Sequence, residues 1–391
     1  MNASIARFEP ATPDEAAASM REAARSGARI ALVGGGTHAP ALADVDAVLV
    51  TRGMRRIVEY APEDQTITVE AGITFAELQR ELAAHGQRLV VEVAEPERST
   101  LGGAIAANAA GPRRMCYGSL KDLILGVTLV RVDGTPAHAG GKVVKNVAGF
   151  DLSKLMVGSF GTLALVTVVT LRVHPLPEAT RAFRVQALSP ARVWELVAAM
   201  RARRLEPAAI VAFRAPQDAR YDVDVLVEGF AAGVAAKADA FAALCADAGW
   251  SIAESDPEGV AEADAAVRRA GSLRLRATTP PADFAAADER ILAPLLRALE
   301  TPATVAYPSL GIVFVAGTPS DADAAASALR AARADAERRA GSLVVETLPG
   351  ADAHRFERWG TPPPSFPLMQ TLKSRFDPGG RLNPGSFIGG L

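Results

Sequence analysis

The sequence predicts an α+β fold in two domains with a C-terminal tail. Three observations carry this. A strand–helix–strand opening runs into a Gly-rich stretch over residues 95–175. Pro175 and Pro177 then mark a break. Beyond it the order strand, helix, strand, strand, helix, strand is read twice, as in ferredoxin-like units. A chain of 391 residues also exceeds the usual size of a single domain.

The elements follow in order. Thr12 has the features of a helix N-cap, with Pro13 at the first helical position and Glu15 closing a capping box. The helix runs to about Ser26 and stops at Gly27. A strand, Arg29 to Val33, ends abruptly in Gly34-Gly35-Gly36-Thr37. Ala47–Thr51 and Arg56–Tyr60 read as strands. In Thr66–Ala71, Ile67, Val69 and Ala71 face one way and the polar residues the other. Thr74 and Glu77 form a second capping box, opening a helix that ends near Gly86. Strands at Leu125–Val132 and Leu163–Val173 flank a short helix at Asp151–Met156.

In the second half, strands are expected at 182–188, 208–213, 221–229 and 250–254, with helices at 190–203 and 232–248. The order recurs with strands at 272–277, 303–306, 311–316 and 342–347, and helices at 283–299 and 320–339. Two such halves predict one antiparallel sheet with helices on one face. The tail from Gly350 is rich in Pro and Gly, with a short helix at Leu368–Phe376.

Composition narrows the function. Hydrophobic residues make up 49% and charged residues 22%, the profile of a globular protein. A net charge of −2 argues against general attraction to nucleic acid or anionic membrane. Two cysteines, Cys116 and Cys245, are too few for an iron–sulfur cluster held by this chain alone. They also rule out a disulfide framework and fit a reducing compartment. No basic start with an apolar run marks a signal peptide, and no apolar stretch is long enough for a transmembrane segment. The histidines lack metal-ligand spacing, so no metal is expected.

Three segments carry chemistry. Val33-Gly34-Gly35-Gly36-Thr37-His38 follows a strand, and its successive backbone amides form a nest suited to a pyrophosphate. A plain Gly turn is an equal alternative. The segment lacks the helix and acidic residue of the GxGxxG fingerprint and the Lys of a Walker loop. Ser99-Thr100-Leu101-Gly102-Gly103, running on through Ala106, Ala107 and Asn108 to Gly111, is poor in side chains. It suits backbone laid against a large planar ligand, or else a small-residue helix packed on a neighbour. The third segment is the turn from Gly158 through Gly161 into Leu163 and Val166.

Together these resemble the FAD-binding domain of the vanillyl-alcohol oxidase/p-cresol methylhydroxylase superfamily, over roughly residues 10 to 175. Within it the sequence resembles the FAD-binding (E) subunits of bacterial glycolate oxidases. That resemblance rests on Ala110-Gly111-Pro112-Arg113-Arg114, Tyr117-Gly118-Ser119, Lys121-Asp122 and the block Gly140 to Ser159, with its Lys145-Asn146-Val147-Ala148-Gly149-Phe150-Asp151-Leu152 string. The tail Phe376-Asp377-Pro378-Gly379-Gly380-Arg381-Leu382-Asn383-Pro384-Gly385 matches too.

The resemblance implies a two-subdomain FAD-binding domain over 1–176, divided near residue 55. It implies a ferredoxin-like cap domain over 177–349 and a tail, 350–391, returning to the first domain. It adds Arg114, Gly118, Lys145, Asn146 and Asn383 to the cofactor-binding residues of the three segments. Arg113, Arg114, Lys121, Lys142 and Lys145 form a basic cluster that would compensate pyrophosphate or reduced-flavin charge.

Some relatives carry flavin covalently on a His directly after Gly-Gly. Here Thr37 stands there and His38 one residue later, so FAD is expected to be non-covalent. Phe150 takes the place of a common Tyr, Phe160 of a frequent Glu, and Ala164 of a common Gly. Catalytic relatives supply histidines and an acid from cap-domain strings. The matching stretches here, Tyr307 to Gly311 and Gly341 to Gly350, hold no His, and Glu346 is their one acid. Arg274 and Arg276 are read as salt-bridge residues rather than carboxylate ligands.

The resemblance implies an FAD-binding subunit of a glycolate or other 2-hydroxy-acid oxidase complex, acting as electron relay or structural flavin. Its partners would be a larger FAD-containing catalytic subunit and an iron–sulfur subunit, with a small 2-hydroxy acid as the complex's substrate. The location would be cytoplasmic, or at the inner face of the membrane through partners. The alternatives are a self-sufficient FAD-dependent 2-hydroxy-acid dehydrogenase and a non-enzymatic, FAD-loaded scaffold.

Overall fold

The computed structural model describes residues 5–38, 45–141, 151–215, 219–348 and 350–391. The chain divides into two compact units. Unit 1 is the chain up to Gly111, Gly118–Leu176 and Pro362–Leu391; unit 2 is Pro112–Tyr117 and Pro177–Thr361.

Unit 1 opens with β1 (Ala6–Phe8), α1 (Pro13–Ser26), β2 (Ile30–Val33) and β3 (Ala47–Val50). The strands form a parallel sheet in the order β1-β3-β2. The Thr12 side chain accepts from the Glu15 amide at 3.2 Å. The Glu15 carboxylate accepts from Ala11 rather than Thr12, so only half the expected capping box forms. Gly27 ends α1 at φ 70, where a Cβ would be strained. Ala16, Met20, Ile30 and Leu49 bury this small core together with Val130 and Leu165 from the second sheet.

The second sheet follows: β4 (Ile57–Ala61), β5 (Thr66–Glu70), α2 (Phe75–Ala84), β6 (Gln87–Arg88), α3 (Leu101–Ala107) and α4 (Arg114–Tyr117), the last grouping with unit 2. Then come α5 (Leu120–Leu123), β7 (Ile124–Val130), β8 (Pro136–Gly140), α6 (Leu152–Met156), β9 (Leu165–Arg172) and β10 (His174–Pro175). Five strands form an antiparallel sheet in the order β4-β5-β9-β7-β8, and β10 pairs with β6. Both halves of the Thr74–Glu77 capping box are made. Ile67, Val69, Leu78, Leu101, Ile105 and Val169 bury the core beneath it.

Unit 2 has β11 (Ala179–Leu188), α7 (Pro190–Ala202), β12 (Ala209–Arg214), β13 (Tyr221–Gly229), α8 (Ala231–Asp247) and β14 (Ile252–Ser255). After α9 (Pro257–Arg269) come β15 (Leu273–Thr278), α10 (Phe284–Ala287), α11 (Ala293–Arg297), β16 (Leu299–Tyr307), β17 (Ile312–Pro319), α12 (Ala322–Arg338) and β18 (Ser342–Thr347). The eight strands form one sheet, β14-β11-β13-β12-β16-β17-β15-β18. Each half has the strand order of a ferredoxin-like unit. They join where β12 and β16 pair antiparallel, Ala212 opposite Ala306.

Four details differ from the sequence reading. Between the two halves lies α9, absent from the expected order, with Asp256 as its cap and Pro257 at its first position. It covers the sheet face away from the other helices, where Val260 packs with Val305, Tyr307 and Phe314. Helix 283–299 is interrupted by a π-turn at Asp288–Leu292, just before Pro294, which has no N–H for a helical bond. Pro112–Tyr117 groups with unit 2 because Met115 packs on its core and Arg113 pairs with Glu228 at 3.1 Å. Residues 350–361 also stay with unit 2. Phe356 is buried in its core and Arg333 donates to the carbonyl of Glu357 at 2.8 Å. The returning tail therefore begins near Pro362 and carries α13 (Phe366–Phe376).

Candidate functional site

In unit 1 the three side-chain-poor segments meet at one cleft of about 780 Å³, counted out to its open mouth. One wall is the loop after β2. The floor is a face of α3, and the opposite wall is the turn into β9. Of the residues expected from sequence, Val33, Gly34, Gly35, Gly36, Thr37, His38, Gly102, Gly103, Ala106, Ala107, Gly161, Val166 and Asn383 line the cleft. Leu32, Thr51, Ser159, Phe160, Ala164 and Leu165 line it without having been singled out as binding residues.

Local bonding explains how the walls are held. The α3 helix is capped by Thr100, whose hydroxyl accepts from Gly103 at 3.2 Å. Its early amides are already used: Leu101 donates to the Ile73 carbonyl and Gly102 to that of Ala71. At its other end Asn108 adopts φ 52, and the carbonyls of Ile105 and Ala106 accept from the amides of Gly158 and Phe160. The turn therefore hangs on the end of the helix. Among the described residues, the amides of Gly35, Gly36 and Thr37 have no acceptor. No Lys, Arg, Asp or Glu lines the cleft among them. The Ser99 and Thr37 hydroxyls lie 3.4 Å apart, and His38 sits 3.4 Å from the Thr37 hydroxyl.

Two glycines that look equivalent in sequence have different reasons to be glycine. A Cβ on Gly35 would lie 1.7 Å from the Arg98 carbonyl oxygen, so the close approach is to the protein's own backbone. A Cβ on Gly103 would meet only the Thr100 hydroxyl, at 3.0 Å, and would otherwise enter the cleft. A flat ligand with phosphates fits this surface: small residues underneath, unsatisfied amides at one end, hydroxyls beside them.

The remaining expected residues do not line the cleft. Ser99, Thr100 and Leu101 are buried behind it as the start and cap of α3. Asn108, Gly111, Gly118, Gly158 and Leu163 lie on the flanking turns and strand ends. Arg114 sits on α4 in unit 2. Arg113, from the same basic cluster, is committed to Glu228. Lys142, Lys145 and Asn146 lie outside the described residues.

Asn383, at the far end of the chain, joins the two walls. Its carbonyl oxygen accepts from the Leu32 amide at 2.6 Å, and its amide nitrogen donates to the Phe160 carbonyl at 2.6 Å. Phe160 stacks on Phe387 with centroids 5.6 Å apart.

In unit 2 the groups considered for chemistry, among the described residues, are engaged with protein partners. Glu346 pairs with Arg276 at 3.0 Å. Arg274 donates to the Ala270 carbonyl at 3.3 Å. The Tyr307 hydroxyl donates to Asp264 at 2.6 Å, and Arg268 pairs with the same carboxylate at 3.1 Å. Burial works against the Arg268 charge, but Tyr307, Asp264 and Glu346 outweigh it and raise its pKa. Among the described residues no cluster of His, Cys, Asp or Glu could hold a metal ion, and no helix is long and apolar enough to cross a membrane.

Comparison with known proteins places this geometry. Residues 5–140 match the family described as FAD binding domain (FAD_binding_4). The chain is 38% identical to glycolate oxidase subunit GlcE of Escherichia coli (strain K12) over 154 residues, 38% of this chain and 44% of that one. It is 36% identical to glycolate oxidase subunit GlcD of Bacillus subtilis (strain 168) over 131 residues, 34% of this chain and 28% of that one. The chain thus spans less than half the length of either relative. Among solved structures, an alkyldihydroxyacetonephosphate synthase superposes with a TM-score of 0.74 at 16% identity, covering 97% of this chain and 77% of that one. The fold is of that vanillyl-alcohol oxidase type.

Proposed function

From the premise that residues 5–140 form an FAD-binding domain, we propose that the chain is the flavin subunit of a 2-hydroxy-acid-oxidising complex of the glycolate oxidase type. The observation that carries this is the cleft of unit 1, two of whose three segments lie within the matched residues 5–140, together with the partial likeness to two glycolate oxidase subunits. Bound FAD supplies a two-electron acceptor. The amides of Gly35, Gly36 and Thr37, with the Thr37 hydroxyl, would hold its pyrophosphate. Gly102, Gly103, Ala106 and Ala107 would leave room for its flat parts. Thr37 rather than His stands at the position after Gly-Gly, which supports FAD held non-covalently.

Oxidising a 2-hydroxy acid needs a base for the hydroxyl proton and a cation for the carboxylate. In unit 2 the groups considered for those roles, Glu346 and Arg276, neutralise each other. The chemistry on the hydroxy acid therefore falls to a partner, with this flavin as relay or structural cofactor. The partners are a larger flavin subunit and an iron–sulfur subunit, in the cytoplasm or at the membrane's inner face.

The test is purification of the native complex with mass spectrometry and a flavin spectrum, followed by anaerobic mixing of the isolated FAD-loaded chain with glycolate. Co-purifying flavin and iron–sulfur subunits, and flavin released intact by acid, are expected. Bleaching of the isolated chain's flavin at a rate matching turnover would favour a self-sufficient dehydrogenase.

A further inference from the structure

A buried cation lies behind the cleft, on α13. Lys373 is 8% exposed, and its ammonium donates to three oxygens: the Thr162 carbonyl at 2.8 Å, Asp377 at 2.7 Å and the Leu382 carbonyl at 3.0 Å. Asp377 in turn accepts from the Leu382 amide at 2.7 Å. Lysine is rarely buried unless paired, and removing one member of such a pair leaves an uncompensated charge. Burial lowers the pKa of Lys373, against the opposing pull of Asp377.

The three oxygens belong to segments that build the site. Thr162 closes the turn that includes Ser159, Phe160 and Gly161. Leu382 bridges to Ile30, beside the free edge of β2, with Ile30 donating to the Arg381 carbonyl at 2.7 Å and Asn383 donating to the Ile30 carbonyl at 2.9 Å. One residue further, the Asn383 side chain spans Leu32 and Phe160. Gly161, at φ 69, packs against Asn383, where a Cβ would lie 2.5 Å from its side-chain nitrogen.

We propose that Lys373, Asp377 and Asn383 form a clamp that fixes the spacing between the two walls of the FAD cleft, with Lys373 and Asp377 positioning residues acting through Asn383. This rests on the reading of the cleft as the FAD site. The clamp explains why the tail returns to unit 1. Without it, β2 and the turn into β9 are joined across the cleft by no other side chain among the described hydrogen bonds.

The test uses the full chain stripped of FAD and titrated with it. Wild-type protein is expected to bind; if it does not, the cleft reading fails and the clamp proposal with it. The double variant Lys373→Met/Asp377→Asn removes both charges together and keeps an acceptor for the Leu382 amide. Its apoprotein should melt cooperatively, with near-native far-UV circular dichroism, while its FAD dissociation constant rises about tenfold or more. Asn383→Asp keeps the acceptor for Leu32 but loses the donor to Phe160, and should weaken FAD binding similarly. Combined, the changes should raise the constant clearly less than the product of the separate effects, because they break one connection. Binding within twofold of wild type in a folded variant, or fully multiplicative effects, overturns the clamp. Should the double variant fail to fold, Asn383→Asp decides: unchanged affinity overturns it.

Discussion

In unit 2 the buried Asp264 carboxylate is met by the Tyr307 hydroxyl at 2.6 Å and by Arg268 at 3.1 Å, whereas the amides of Gly35, Gly36 and Thr37, in the cleft loop of unit 1, have no protein acceptor among the described residues. Unit 2 repeats its solution on the other half of the sheet. There Tyr221 donates to Asp288 at 2.6 Å and Arg214 pairs with it at 2.9 Å. Burial, with Asp288 beside it, pushes the Tyr221 hydroxyl well above its ordinary pKa, so it stays a donor. Buried polar groups that satisfy one another stabilise and specify a fold, while donors left without partners await a ligand. The contrast separates two buried carboxylate networks, each met by a tyrosine and an arginine, from a loop whose amides are left open to a ligand.

The largest effect should come from opening the closed network. Asp264→Ala leaves Arg268 buried without its carboxylate and should cost about 3–5 kcal/mol of stability. Urea unfolding of the purified chain measures this. FAD affinity in the folded fraction should change less than about threefold, a shift under about 0.7 kcal/mol. A folded variant that had lost flavin would break the comparison by tying the network to the site.

The opposite pattern is expected from Gly103→Val. Its side chain enters the cleft, so FAD should bind about a hundredfold more weakly, equivalent to about 2.8 kcal/mol. The apoprotein's stability should move by less than about 1 kcal/mol. Fluorescence titration and thermal unfolding of the apoprotein read the two quantities. Gly35→Val sharpens the distinction, because its Cβ meets the Arg98 carbonyl and should destabilise the protein itself. Full flavin content in Gly103→Val would mean that the α3 face is not the cradle.

The smallest effect concerns the thiols. Cys116 is exposed and Cys245 buried, so a thiol reagent should titrate one group in native protein and two after unfolding. Burial pushes the Cys245 thiol up from 9.0 to about 11. The unfolded chain then loses this proton first, so the thiol's contribution to stability is full below pH 9 and falls between pH 9 and 11. Between pH 8 and 10, wild type should lose up to about 1 kcal/mol more stability than Cys245→Ala in urea unfolding. Equal losses would place the thiol in a wetter setting than the interior of unit 2.

Much of the secondary structure was legible because local chemistry announces it. Thr74 and Glu77 mark a helix start whatever surrounds them, and both expected bonds form. Alternation at Ile67 and Val69 marks a strand facing a core. Asp256-Pro257 is the same kind of signal for α9, with Asp256 as cap and Pro257 at the first position. The glycine loop was legible as a loop; the reason for each glycine was not. Which atom a Cβ at Gly35 or Gly103 would strike depends on residues brought there by other elements. Arg114 read as a charge for the site because it stands in a matching motif, yet the chain carries it with α4 into unit 2.

Local pattern in the chain sets most of the longer strands and helices and the three side-chain-poor segments, since these depend on neighbours a few positions away. Tertiary structure alone decided that the segments converge on one cleft and that α9 covers the second face of the larger sheet. It also decided that Lys373 and Asn383 reach back more than 200 residues to hold the turn at Phe160 and Thr162. The physical reason is that a hydrogen bond depends on distance in space, and a motif records only distance along the chain.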